Sequence, residues 1–157
     1  MTRPPTGTFV AARLLKSEPS LVTSLVLMEP VALLTCWPTL ISTFVYGQPT
    51  LEPPTSIKAL VGNLRWLCSR EQTMAEAFCR RFHWSELTIW PQELPERSLL
   101  VLSGQDDLVA AKLVEKLCRK VGKGKLLCRH DGVHGDVLLH NRWQEVVVCA
   151  IVDVVLK

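Results

Sequence analysis

Two textures of hydrophobic and polar residues alternate along the chain: short apolar runs without interruption, and longer stretches that are apolar on one side only. Ser24-Leu25-Val26-Leu27-Met28 and Ser98-Leu99-Leu100-Val101-Leu102 are of the first kind. Bounded by Glu29-Pro30 and by Ser103-Gly104-Gln105-Asp106-Asp107, such runs predict parallel strands buried on both faces. Lys125 to Cys128 predicts a third, shorter strand. The second texture is clearest from Val109 to Val121. There Leu113, Val114, Leu117 and Val121 share one side of a helix, and Lys112, Glu115, Lys116, Arg119 and Lys120 share the other. Gly122 and Gly124 end that helix.

The remaining segments are read from their punctuation. Val31 to Tyr46 predicts apolar helical turns, interrupted at Pro38 and closed by Gly47. After the proline-rich connector 49–54, Thr55 or Ser56 would cap a helix reaching about Cys68. Ser69 with Gln72 fits a capping box for the next helix, to about Phe82. Trp84, Trp90, Pro91 and Pro95 mark an irregular, aromatic stretch. A polar loop from Arg129 to Asp136 precedes a closing helix from Val137 to Leu156, in which Val146 to Val148 and Val154-Val155 are β-branched. Strand, helices, strand, helix, strand, helix is the order of an α/β protein with a parallel sheet. Glu29, Asp106 with Asp107, and His134 follow the three strands, at the edge where open parallel sheets bind ligands.

Composition narrows the partners. At 157 residues, 48% apolar and 21% charged, the chain can bury one core, which excludes wholesale disorder. A net charge of +3 is too small to imply nucleic acid. The basic run from Lys112 to Arg129 reads as a solvated helix face and its connector, and Gly122-Lys123-Gly124-Lys125 lacks phosphate-loop spacing. No nucleic-acid partner is expected. Six cysteines, at 36, 68, 79, 118, 128 and 149, contain no C-x-x-C pair and read as reduced, mostly buried thiols of a cytoplasmic protein. Two other locations compete with that. Residues 1–16 are basic and hydroxylated like a mitochondrial transit peptide, and Leu21 to Tyr46, with Glu29 its one charge, is long enough to cross a bilayer. Glu29-Pro30, Pro38 and the scattered hydroxyls oppose a span. Cys128, His130, Asp131, His134, Asp136 and His140 form a dense group of metal-ligand types. They lack the H-E-x-x-H pattern, and Gly132 and Gly135 interrupt the helix it needs, so neither metal nor cofactor is expected.

Taken in order, these segments resemble the second half of an α/β-hydrolase of the serine-esterase and lipase type. "RSLLVLSGQDDLV" resembles the penultimate core strand with its Gly-x-x-Asp-x-x-Val loop, and "CRHDGVHGDVLL" the last strand and the loop of the catalytic His. "SLVLMEPV" is similar to the strand between the nucleophile helix and the lid, and "REQTMAEAFCRRFHWSELTIWPQELP" to a helical cap. The resemblance implies a partial α/β-hydrolase fold: elbow helix and strand in 1–30, helical cap in 31–97, and acid strand, helix, His strand and final helix in 98–157. It implies carboxylic-ester or acyl hydrolysis of a small apolar substrate, with Asp106 as the triad acid, Asp107 as runner-up, and His134 as the base. Trp37, Trp66, Trp84 and Trp90 would line or support the cap.

The nucleophile departs from the pattern. "TGTFVAARLLK" is similar to the end of the G-x-S-x-G elbow and its helix, which makes Gly7 the second glycine. Two residues back stands Pro5, and four back Arg3; neither proline nor arginine can attack an acyl carbon. Ser103 lacks an elbow, and Glu29, an alternative acid, reads as a strand terminator before Pro30. The expectation is therefore a truncated, inactive portion of a longer hydrolase. The alternatives are a non-catalytic binding or scaffold module that associates through its open sheet edge, and a membrane protein anchored through 21–46.

Overall fold

A computed structural model of the chain describes residues 7–49 and 57–155. Its three strands, β1 (Ser24–Met28), β2 (Arg97–Ser103) and β3 (Lys125–Arg129), lie side by side in that order, all parallel. Met28 stands opposite Val101, and Ser103 opposite Arg129, so the three carboxyl ends open on one edge. The α/β class expected from the alternation is the class observed.

The uninterrupted apolar runs follow from burial on two sides. Leu99 and Val101 of β2 face a cluster with Val26, Leu127, Val137, Trp143, Val147 and Ile151, the last three supplied by α8 (Asn141–Val155). Leu100 and Leu102 face the opposite cluster, which holds Leu27, Phe9, Ala12 and Leu15 of α1 (Gly7–Ser17), and Val114 and Cys118 of α6 (Ala111–Val121). Successive strand side chains point to opposite faces, so a strand covered on both is apolar through its middle. The buried Ser98 and Ser103 near its ends bond to the Pro95 carbonyl and to Glu29. Gly122, at φ 75°, closes α6 and donates its N–H to the Cys118 carbonyl.

Between β1 and β2 lie α2 (Thr39–Phe44), α3 (Ile57–Arg70), α4 (Gln72–Arg80) and α5 (Trp84–Leu87). A chain of rings joins this segment to the core: Phe9 meets Phe82 edge-on at 5.7 Å, Phe82 stacks on Phe78, and Phe78 meets Phe44 at 4.9 Å. Leu33 pairs with Ile89, and the buried hydroxyls of Thr35 and Thr88 hydrogen-bond each other and the Trp84 carbonyl. Arg13 and Lys16 of α1 reach Glu86 and Glu93, each at 3.0 Å.

Several expected boundaries are corrected. The helix expected from Val31 to Tyr46 is confined to Thr39–Phe44; Ala32, Leu33 and Leu34 are apolar because their turns are buried, with Leu34 at φ 58°. Ser69 does not begin a capping box. Its hydroxyl bonds to the Trp66 carbonyl at the end of α3, while Glu71 caps α4 by accepting from the Thr73 and Met74 amides. Those two amides hold the Glu71 carboxyl below its usual range. The expected caps Thr55 and Ser56 lie outside the described residues, as do Arg3 and Pro5. The single closing helix is two, α7 (Asp136–Leu139) and α8, because His140 between them is extended. The thiols are free but not mostly buried: Cys118 is buried, Cys128 half-buried, and Cys36, Cys68, Cys79 and Cys149 exposed. Trp37, Trp84 and Trp90 lie largely at the surface, and the Arg70 guanidinium sits 5.8 Å from the Trp66 ring. Among the described residues no helix is long and apolar enough to cross a membrane; 21–46 is divided among turns, β1 and α2.

Leu100, fully buried on the central strand, should carry a large share of stability. Leu100→Ala is expected to cost about 2–5 kcal/mol in urea denaturation. Val148→Ala on the exposed side of α8 should stay within about 0.5 kcal/mol.

Candidate functional site

The carboxyl-end edge gathers three segments: Glu29 directly after β1, the loop from Gly104 to Ala110 after β2, and residues 130–135 after β3. The two loops are stitched by backbone. The Gly104 N–H donates to the Arg129 carbonyl and the Gln105 N–H to the Gly132 carbonyl, both at 2.8 Å. Gly104 permits this because a Cβ there would lie 2.5 Å from the His130 carbonyl oxygen.

Asp106 divides its two oxygens between structure and chemistry. Oδ1 accepts from the amides of Leu108 and Val109 at 2.8 and 2.9 Å, a local turn that delays α6 to Ala111 instead of the expected Val109. Oδ2 lies 2.7 Å from Nδ1 of His134, and the Asp106 side chain is only 1% exposed. An ionised carboxylate has no donor, so Nδ1 carries the hydrogen and donates it, which leaves Nε2 as the imidazole's basic atom. Among the described residues no hydroxyl or thiol hydrogen-bonds to Nε2. Asp107, the other candidate acid, is directed elsewhere: its Oδ2 meets Nη1 of Arg65 on α3 at 2.6 Å.

Glu29 occupies the same edge. It is buried, and the Ser103 hydroxyl and the Gly135 N–H donate to its Oε1 and Oε2, each at 2.6 Å. Its Oε2 stands 3.8 Å from Nδ1 of His134. Reading Glu29-Pro30 as a strand terminator describes the backbone, whose φ of 46° turns the chain out of β1. That reading missed where the side chain goes, and it missed Ser103, Gly135 and Arg65 as neighbours of the pair. The one local signal was a carboxylate closing an otherwise apolar strand.

Burial pushes the His134 pKa down. The hydrogen bond and charge of Asp106, with the charge of Glu29, outweigh that and the smaller opposing effect of Arg65, so the net direction is up. The six metal-ligand types noted between Cys128 and His140 do not converge. Asp131 pairs with Arg129, and Asp136 accepts from the Val133 amide. The donor atoms that do lie within 4.8 Å of one another belong to Glu29, Asp106 and His134, whose carboxylate oxygens are already engaged.

No known protein family, curated protein or solved structure matches the chain.

The raised His134 pKa has a signed consequence for stability. A histidine that holds its proton more tightly when folded contributes pH-dependent stability that is complete below its unfolded pKa, near 6.5. The contribution is lost as pH rises through the folded value. Chemical denaturation of wild type and His134→Gln from acid to mildly alkaline pH should show the largest gap below about 6.5 and a narrowing gap above it. A gap that widened towards alkaline pH would contradict the pairing.

Proposed function

We propose that Asp106 and His134 are the acid and base of an acyl-hydrolase site of the α/β-hydrolase kind, and that this chain by itself has little or no hydrolytic activity. The observation that carries the reading is the 2.7 Å contact of Asp106 Oδ2 with His134 Nδ1, at the carboxyl edge of a parallel sheet, with no hydrogen bond to Nε2 among the described residues. The order along the chain, acid after one strand and base after the next, supports it and agrees with the sequence resemblance.

The chemistry such a pair performs is specific. A hydroxyl presented to Nε2 gives up its proton as its oxygen attacks the acyl carbon of an ester. His134 then returns that proton to the departing alkoxide. Asp106 holds the ring with Nε2 facing the nucleophile and balances the imidazolium formed in between. Among the described residues no hydroxyl is bonded to Nε2. Ser103, the nearest candidate in sequence, donates its hydrogen to Glu29 instead.

A serine-directed fluorophosphonate should leave the purified chain unlabelled; stoichiometric labelling would overturn the inactive reading. The second test joins a strand and a G-x-S-x-G elbow to the front of this chain. A chain that includes that segment should label and hydrolyse short esters, and Asp106→Asn should lower its kcat by about 10⁴-fold. An elbow-bearing chain indifferent to Asp106→Asn and His134→Ala would remove the acid–base assignment.

A further inference from the structure

Beside Asp106 and His134 stands a second buried carboxylate, Glu29, with no task in that chemistry. Glu29 is held in a way that an incidental strand-end residue is not. Its backbone sits at φ 46°, a left-handed conformation disfavoured for any residue with a Cβ, and its N–H donates to the Val101 carbonyl of the neighbouring strand. From there the side chain spans the whole edge. One oxygen takes the hydroxyl of Ser103, the last residue of β2, and the other takes the N–H of Gly135, the residue after His134.

These contacts fix His134 from behind. The loop carrying it has no regular secondary structure between the end of β3 at Arg129 and the start of α7 at Asp136. Besides local turns closed on Arg129, Val133 and Gly135, it is tied by the Gly132 carbonyl to Gln105, by Asp136 Oδ2 on the Val133 amide, and by the pair with Asp106. Gly135 itself is at φ 92°, and its N–H bond to Glu29 is charge-assisted and part-buried.

We propose that Glu29 is a positioning residue for His134: it anchors the histidine loop through Gly135, is itself braced by Ser103, and places a second negative charge behind Nδ1. The functional meaning rests on the acid–base reading of the Asp106–His134 pair, since Glu29 acts through His134 and touches no reacting atom. The groups that face the imidazole are Asp106 from the loop after β2, Glu29 from the end of β1, and Arg65 from α3. Two carboxylates against one guanidinium favour the protonated ring, with Asp106 the larger contributor and Glu29, far removed in sequence, the smaller.

Charge and anchoring are separated by two substitutions, read by NMR titration of the His134 ring and by amide exchange at Gly135. Glu29→Gln keeps groups able to bond both Ser103 and Gly135 and deletes the charge. The His134 midpoint should move to lower pH, by less than in Asp106→Asn, while Gly135 stays protected. Glu29→Asp keeps the charge and draws the oxygen back from Gly135. Exchange at that amide should accelerate about tenfold or more, with a smaller change in the His134 midpoint than Glu29→Gln gives. An unchanged midpoint in a folded Glu29→Gln protein overturns the proposal. If that variant does not fold, Glu29→Asp and the wild-type Gly135 amide decide: rapid exchange in wild type, or no acceleration in Glu29→Asp, also overturns it. None of these readouts needs a substrate, so a failure of the hydrolase assignment in labelling experiments would be seen separately from a failure here.

Discussion

A carboxylate taken out of water needs donors on its oxygens, and two such carboxylates share one edge of this sheet. Asp106 is served by two amides of its own turn and by His134, and Glu29 by a serine hydroxyl and a glycine amide from two other segments. Meeting these demands fixes the positions of the loops after β2 and β3, and with them the orientation of the imidazole. The three strands put the loops within reach, because both neighbours of β2 run parallel to it; β3 ends level with it and β1 two residues short, where Glu29 follows. The site is thus a product of desolvation as much as of topology.

The helical segment between β1 and β2 is coupled to that edge in two chemically different ways. The ring series Phe44, Phe78, Phe82 and Phe9 fastens α2 and α4 to the core through apolar contact, which has little directional demand. Arg65 on α3 instead reaches Asp107, next to the residue that holds His134. With the Arg65 side chain 19% exposed and Asp107 55% exposed, the pair is half in solvent, so it contributes geometry more than stability. It also takes Asp107 out of competition for the imidazole.

How much of this was legible in the chain depends on sequence separation. β1 is bounded by Glu29-Pro30, and β2 by a polar loop, so their extents could be read locally, as could the end of α6 at Gly122. The Val31–Tyr46 stretch misled because continuous apolarity signals burial without specifying a helix; its first half is buried as turns against Ile89. Ser69 had the spacing of a cap, but Glu71 sat closer to the helix start with two oxygens to offer. In the site, Asp106 and His134 were legible as residues after successive strands. Glu29 with Ser103 and Gly135 was not, since those contacts span 74 and 106 positions and exist only once the strand register is set.

The left-handed backbone at Glu29 gives this position an evolutionary asymmetry. A glycine there would adopt φ 46° without the penalty of a Cβ, about 1 kcal/mol, while leaving Ser103 and Gly135 without their shared acceptor. Backbone relief and the need for a buried acceptor therefore pull the position in opposite directions. Among lineages that retain the fold and have no use for the imidazole, position 29 should drift readily, with Ser103 drifting alongside it. Where the edge is still in use, the acidic residue should persist in spite of its conformation, so that variation at 29 and 103 becomes a record of whether the site has been kept.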